Sequence, residues 1–314
     1  MQSHRYPLAI VIPTYNRADV LMQCLFHLEN QTWKDFEVVV VDDGSTDSTP
    51  EQVRAYAAKG HLSMRYVRQG NGGPARARNQ AISLVEAPVC LMIGDDIFAS
   101  PKLVAEHMSL HLRHPEPSVA GLGLTRWSES GQTVTPFMKW LDTDGLQFSY
   151  GPLLLGERPG WRHFYTSNLS VKTDLLRQFP FDESFPYAAM EDLELACRIE
   201  EKHGLELILL PDALAHHLHP TTFIQACRRI VGVGESTARF DEIWPGKRLQ
   251  EGNAVKRAMQ HLLLASPWAV AASVKLGNWS LRLACPNYLM RFVLGCHFAM
   301  GYGRHSKTGT ERQL

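Results

Sequence analysis

Val38-Val39-Val40-Val41-Asp42-Asp43-Gly44-Ser45-Thr46-Asp47 joins four consecutive β-branched residues to a pair of carboxylates, a glycine and three small polar residues. An uninterrupted β-branched run reads as a strand buried on both faces, as in a parallel sheet. Thr49-Pro50-Glu51 then opens a helix, with proline in its first turn and an acid near its positive end. A strand that stops at Asp42-Asp43 and turns into a helix puts both carboxylates at the carboxyl edge of the sheet. Ligands bind at that edge in open α/β sheets. An isolated Asp-Asp-Gly-Ser turn would read as a helix cap, but the neighbouring segments overturn that reading.

Upstream, Leu8-Ala9-Ile10-Val11-Ile12-Pro13 is a second buried strand, followed by the turn Thr14-Tyr15-Asn16-Arg17 and by Leu21, Leu25 and Leu28 at helical spacing. Downstream, a helix over 49–59 and a short strand over 64–67 complete the order β-α-β-α-β, which implies a parallel sheet with right-handed crossovers. Gln69-Gly70-Asn71-Gly72-Gly73-Pro74 is a loop entering a helix that carries Arg76 and Arg78 near its start. Cations oppose the positive end of a helix, so two of them there point to an anionic ligand. Val89 to Ile93 is a fourth strand, ending at Gly94-Asp95-Asp96, and a helix follows over 101–114. Carboxylates at adjacent strand ends repel one another unless a metal or a donor-rich ligand lies between them.

Residues 121–160 change character, with Trp127, Trp140, Phe148 and Tyr150 among Gly, Thr and Pro. For any one of these rings, filling the core is the first reading, though an apolar ring face can also stack on a ligand; Trp127, between Arg126 and Ser128, is the one expected at the mouth of a site. Tyr187 to His203 reads as a helix with Glu191-Asp192 in its first turn. Leu205 to Leu210 is the last expected strand, and His216-His217-Leu218-His219 follows it.

These segments in this order resemble family-2 glycosyltransferases. The resemblance rests on Ile12 to Arg17, Val41 to Asp47, Gly72 to Asn79, Gly94 to Asp96, Thr166 to Ser170, and Phe181-Asp182-Glu183 ahead of Met190-Glu191-Asp192. It implies an α/β fold of GT-A type: a Rossmann-like, mostly parallel sheet flanked by helices. Pro13, Thr14, Asn16, Asp42, Asp43, Arg78 and Asp95 would hold the nucleotide-sugar. Asp96 stands where the last aspartate of an Asp-x-Asp motif binds the divalent cation, Mg2+ or Mn2+; the first aspartate of that motif is replaced by Gly94. By the same resemblance His217, or His219 as runner-up, completes the metal site, Asn168 lies on the acceptor side, and Asp192 is the catalytic base beside Glu191. A base facing away from the leaving group implies one-step displacement with inversion.

The 314 residues, 45% hydrophobic and 20% charged, suit a soluble globular protein. The net charge of +0 at pH 7 is unevenly spread: beyond Pro245 ten basic residues face only Glu251 and Glu311, an excess of +8 against −8 before it. Six scattered cysteines without a Cys-x-x-Cys pair read as buried free thiols of a reducing compartment. Neither a signal peptide nor a membrane-spanning run is evident.

The expected division is a catalytic domain over 1–240 and a basic helical appendage over 241–314. Val255, Ala258, Met259, Leu262 and Leu263 mark one amphipathic helix of the appendage. Leu289, Phe292, Val293, Cys296 and Met300 mark another, begun at Pro286 and ended at Gly301. These helices would touch an anionic membrane surface or a second copy of the chain.

The expected activity is inverting, metal-assisted transfer of a sugar from a nucleotide-diphosphate donor, UDP-linked, to a saccharide or lipid-linked acceptor. No nucleic-acid partner is expected, and the location is cytoplasmic or at the inner membrane face. The alternative is a non-catalytic nucleotide-sugar-binding module of the same fold. A dinucleotide-dependent oxidoreductase is disfavoured, because Ile12-Pro13-Thr14 stands where a Gly-x-Gly-x-x-Gly loop would follow the first strand.

Overall fold

A computed structural model describes residues 6–143, 147–249 and 287–311. Eight strands form one sheet: β1 (Leu8–Thr14), β2 (Phe36–Asp42), β3 (Met64–Arg68), β4 (Val89–Ile93), β5 (Ile97–Ala99), β6 (Val119–Trp127), β7 (Asn168–Lys172) and β8 (Glu206–His217). Their spatial order is β3-β2-β1-β4-β7-β6-β8-β5. β1, β2, β3 and β4 run parallel; β7 is antiparallel to β4 and β6, and β5 is antiparallel to β8. The helices are α1 (Ala18–Glu29), α2 (Thr49–Ala57), α3 (Gly73–Leu84), α4 (Leu103–Arg113), α5 (Pro136–Thr143), α6 (Tyr150–Leu154), α7 (Thr173–Gln178), α8 (Glu191–His203), α9 (Phe223–Ile243) and α10 (Asn287–Glu311).

Alternate residues of the central strands serve two separate cores. Leu8, Ile10, Ile12, Val38 and Val40 pack with α1 residues Leu21, Leu25 and Leu28. Ala9, Val11, Val39 and Val41 pack with Ala77, Ala81 and Ile82 of α3. Period-two geometry sends successive side chains to opposite faces, so a strand covered on both sides requires the unbroken apolar run that Val38 to Val41 supplies.

Two compact units make up the chain. One is drawn from Met1–Val134, Asp142–Glu183 and Glu191–Pro220, the other from Thr135–Leu141, Ser184–Met190 and Thr221–Leu314. Residue 240, the expected division, lies inside α9.

The second unit has its own core, in which Trp140 packs with Phe137, Phe223, Met290 and Val293. Within it α9 and α10 meet backbone to backbone at glycines. A Cβ at Gly301 would lie 1.8 Å from the Val231 oxygen, and one at Gly234 would lie 2.2 Å from the Phe298 oxygen. Gly301 is therefore a close-approach residue and not the helix end expected of it; α10 continues to Glu311. The expected helix at 255–263 lies outside the described residues. Among the described residues, no helix is long and apolar enough to cross a membrane.

Three further expectations are corrected. β6 and β7 occupy stretches where no strand was expected. β6 carries Gly121 and Gly123, which weaken a strand signal but are sterically required. A Cβ at Gly121 would meet Ser170 Oγ at 2.8 Å, and one at Gly123 would meet Asn168 Nδ2 at 2.2 Å. The last strand does not stop at Leu210. It passes Pro211 with a register shift and runs to His217, so the histidine is on the strand and not in a loop after it. The helix expected from Tyr187 starts at Glu191, because Met190 takes a left-handed φ of 74° that no helix can continue through.

Candidate active site

The carboxyl ends of β1 and β4 converge on two adjacent aspartates. Thr14 Oγ1 donates to Asp95 Oδ2 at 2.7 Å. The Arg17 guanidinium, at the start of α1, lies 3.1 Å from Asp95 Oδ1 and donates to Asp96 Oδ2 at 2.8 Å. The end of β8 reaches the same carboxylate: His217 Nε2 and His219 Nδ1 are each 3.2 Å from Asp96 Oδ2. The main chain fixes this approach, since Ile97 pairs with His217 and Leu218 N donates to Asp96 O at 2.9 Å.

Both carboxylates are buried. Burial pushes Asp95 up, opposed by Arg17 and reinforced by Asp96. Asp96 is held well below the usual carboxylate range: burial opposes ionisation there, but His217, His219 and Arg17 outweigh it.

Asp96, His217 and His219 each offer one ligand atom, all within 4.8 Å of one another. One carboxylate oxygen and two imidazole nitrogens at that spacing fit a first-row divalent cation. His217 Nδ1 is buried without a partner, and Nε2 is the nitrogen that faces Asp96. Trp127, His217 and His219 form a column of rings, stacked at 5.3 Å and then 5.1 Å.

The aspartates of β2 play a different part. Asp42 accepts from Ser45 N at 2.7 Å and from the Tyr66 hydroxyl at 2.7 Å. Asp43 accepts from Gln69 Nε2 at 2.7 Å, Gly72 N at 2.9 Å and Gly73 N at 2.7 Å. It thereby clamps the loop that leads into α3. Asn16, left-handed at φ 52°, accepts from Thr46 N at 2.6 Å and ties the first turn to the second.

A third group stands at the start of α8. Arg78 Nη1 donates to Glu191 Oε1 at 2.9 Å, and its guanidinium lies 5.4 Å over the Phe181 ring. The pair is almost closed to solvent, at 12% and 6% side-chain exposure. Asp192 is half-buried, and its carboxyl is pushed up to about 7 by burial and by the Glu191 charge, with Arg78 opposing. The Asp192 charge also acts on Tyr165. The Tyr165 ring lies 5.5 Å from Phe148, which is 5.9 Å from His217. An aromatic cluster thus separates the carboxylate pair from the histidine column.

A family model for glycosyl transferase family 2 matches residues 9–168, half of the chain. The chain belongs to that family. Validoxylamine A glucosyltransferase of Streptomyces hygroscopicus subsp. jinggangensis (strain 5008) is 31% identical over 261 residues, covering 73% of this chain. The chain spans 61% of the length of that relative. Among solved structures, the mannosyltransferase PcManGT from Pyrobaculum calidifontis, in complex with GDP-Man and Mn2+, superposes with a TM-score of 0.62. It is 21% identical, over 96% of this chain and 87% of that one. S. aureus TarS 1–349 in complex with UDP gives 0.52 at 16% identity, over 95% and 91%. The architecture is GT-A.

In this family-2 chain the expected residues fall into separate groups. Pro13, Thr14, Asp95, Asp96 and His217 share one edge. Asp42, Asp43 and Asn16 have side chains engaged in holding turns, and Arg78 is bonded to Glu191. Trp127 is stacked on His217 beside a crevice that Arg126, Asp142, Gln147 and Phe148 also line. Asn168 does not face an acceptor: it is fully buried, and its amide is spent on His107, Leu124 and Ala213. Arg17 was missed as a site residue. The signal for it was present, since a cation at the start of α1 opposes the helix dipole as Arg76 and Arg78 do in α3.

Proposed function

We propose that this protein transfers a glycosyl group from a nucleotide-diphosphate sugar, UDP-linked in the first instance, to a saccharide or lipid-linked acceptor, with inversion. The observation that carries the reading is the convergence of His217 and His219 on Asp96 at the end of β4, three side chains that could hold a divalent cation. Asp96, His217 and His219 would hold Mg2+ or Mn2+, which neutralises charge on a departing diphosphate. Thr14 and Asp95, with the turns held by Asn16, Asp42 and Asp43, would receive the nucleoside, and Trp127 the acceptor ring.

Asp192 is the base. Its carboxylate takes the proton of the acceptor hydroxyl as the hydroxyl oxygen bonds to the anomeric carbon, and the bond from that carbon to the diphosphate breaks, its electron pair leaving with the diphosphate. A carboxylate pushed up to about 7 is a stronger base than an ordinary aspartate and is still ionised near neutrality. Glu191, held by Arg78, raises that basicity and does not itself take the proton.

The test is a thermal-shift panel of nucleoside diphosphates and nucleotide-sugars, with and without Mn2+, followed by product analysis with the donor that binds. A ligand of the native state raises the melting temperature. The proposal expects stabilisation by a nucleoside diphosphate only with metal present, and an inverted product. Binding without any transfer or donor hydrolysis would favour the non-catalytic module, which Gly94 supports. No stabilisation by any nucleotide would overturn both.

A further inference from the structure

Asn168, at the start of β7, is fully buried, yet it governs two residues that face the site. In the pairing of β6 with β8, Gly123 stands opposite Leu210 and Thr125 opposite Ala215, so that Leu124 alone faces the four residues Pro211 to Leu214. A bulge of this size leaves main-chain groups without ladder partners. Asn168 supplies them: its Nδ2 donates to Ala213 O at 2.8 Å and to Leu124 O at 3.4 Å.

His107 of α4 orients the amide. Its Nε2 is 2.9 Å from Asn168 Oδ1, and its Nδ1 is 2.8 Å from Ser170 Oγ. Turning the amide over would set Oδ1 against two carbonyl oxygens, so His107 donates to Asn168 and accepts from Ser170. Burial pushes this imidazole down to about 4 and keeps it neutral, as that tautomer requires. Gly123 leaves room for the amide, since a Cβ there would lie 2.2 Å from Nδ2. Beyond the bulge the pairing resumes with Arg126 opposite His216 and Trp127 opposite His217, the register that stacks the last two rings.

We propose that Asn168, oriented by His107, is a positioning residue that sets the register of β6 and β8 past their bulge and so, beside the β5 pairing that brings His217 to Asp96, holds the His217 ring against Trp127. Its consequence for metal affinity rests on the reading of Asp96 and His217 as cation ligands; its consequence for ring geometry does not.

The experiment reads the His217 ring protons by NMR in the full chain, assigned by their loss in His217→Gln, and Mn2+ affinity by calorimetry. Stacking on the Trp127 indole displaces those protons upfield. In Asn168→Ala that displacement should fall by about half or more, and Mn2+ affinity roughly tenfold or more, the scale seen when a metal ligand loses its support. Gly123→Ala, which crowds the same amide, should do likewise. Val53→Ala, on the buried face of α2, should lower the melting temperature and leave both readouts unchanged. If Asn168→Ala does not fold, Asn168→Ser, which keeps one donor, should show an intermediate displacement. Parent-like His217 resonances in the folded Asn168 variant overturn the proposal. A parent that binds no Mn2+ removes the metal reading, and the ring displacement still decides the positioning role.

Discussion

In β1 and β2 the register runs unbroken from Leu8 opposite Phe36 to Thr14 opposite Asp42, and the functional groups stand where the strands end. In β6 and β8 the ladder breaks after Gly123 opposite Leu210, and the residues that face the site come only after the break. The first pair holds its carboxylates through neighbours in sequence and through the next turn: Ser45 on Asp42, Gly72 and Gly73 on Asp43. In the second pair, also parallel, a buried amide more than 40 residues away from Trp127 and His217 bridges the break. Under the proposed function, the difference implies that grip on a donor and delivery of the reacting groups are separable. Substitutions in the two regions should therefore break different steps.

The largest effect is expected at α8. Asp192→Asn should lower turnover by roughly a hundredfold or more, the scale of a lost general base, with donor affinity nearly unchanged. Turnover and calorimetric affinity measured on the same preparation check this. Near-normal turnover would make Asp192 a helix-start charge only. At the end of β2 the pattern should invert. Asp43→Asn removes part of a charged acceptor that serves three donors, each such bond being worth about 1.5–3 kcal/mol. Donor affinity should fall roughly tenfold while the His217 resonances stay in place; an affinity equal to the parent's would show that the loop needs no clamp.

A smaller effect separates Glu191 from Asp192. Turnover should rise with pH through about 7, the range to which Asp192 is pushed by burial and by Glu191. Glu191→Gln removes the neighbouring charge and should move that limb to lower pH; a limb that stays in place would assign it to another group. Stability runs the opposite way. Folding raises this pKa, so the native state holds the proton more tightly than the unfolded chain does. The contribution is complete below about pH 4, where an unfolded aspartate titrates, and is lost as pH rises through the folded value. The melting temperature of the parent should fall relative to Asp192→Asn over that interval.

Val38 to Val41 and Leu8 to Ile12 were legible as strands because a fully buried strand has no polar face to disguise. Asp95 and Asp96 were legible because an apolar run stops at them, and His217 through its place in the family pattern. β6 was not, because Gly121 and Gly123 are there to make room for Ser170 and Asn168, contacts between residues more than 40 apart. β8 was cut short at Pro211 for the same kind of reason: a proline ends a local strand pattern, and the distant Asn168 amide and the pairing with β5 carry the sheet past it. Gly301 looked like a helix stop, yet its missing side chain serves the approach of α9. The pairing of Arg78 with Glu191 spans 113 positions, which no local spacing reports.

Calorimetric titration of a nucleoside diphosphate into the parent and into Asp96→Ala, each with and without Mn2+, tests the central claim most directly. The parent should bind measurably only with metal present, and Asp96→Ala, folded by circular dichroism, should lose that binding. Equal affinity of the two proteins with Mn2+ would contradict the assignment of Asp96, His217 and His219 as the cation site.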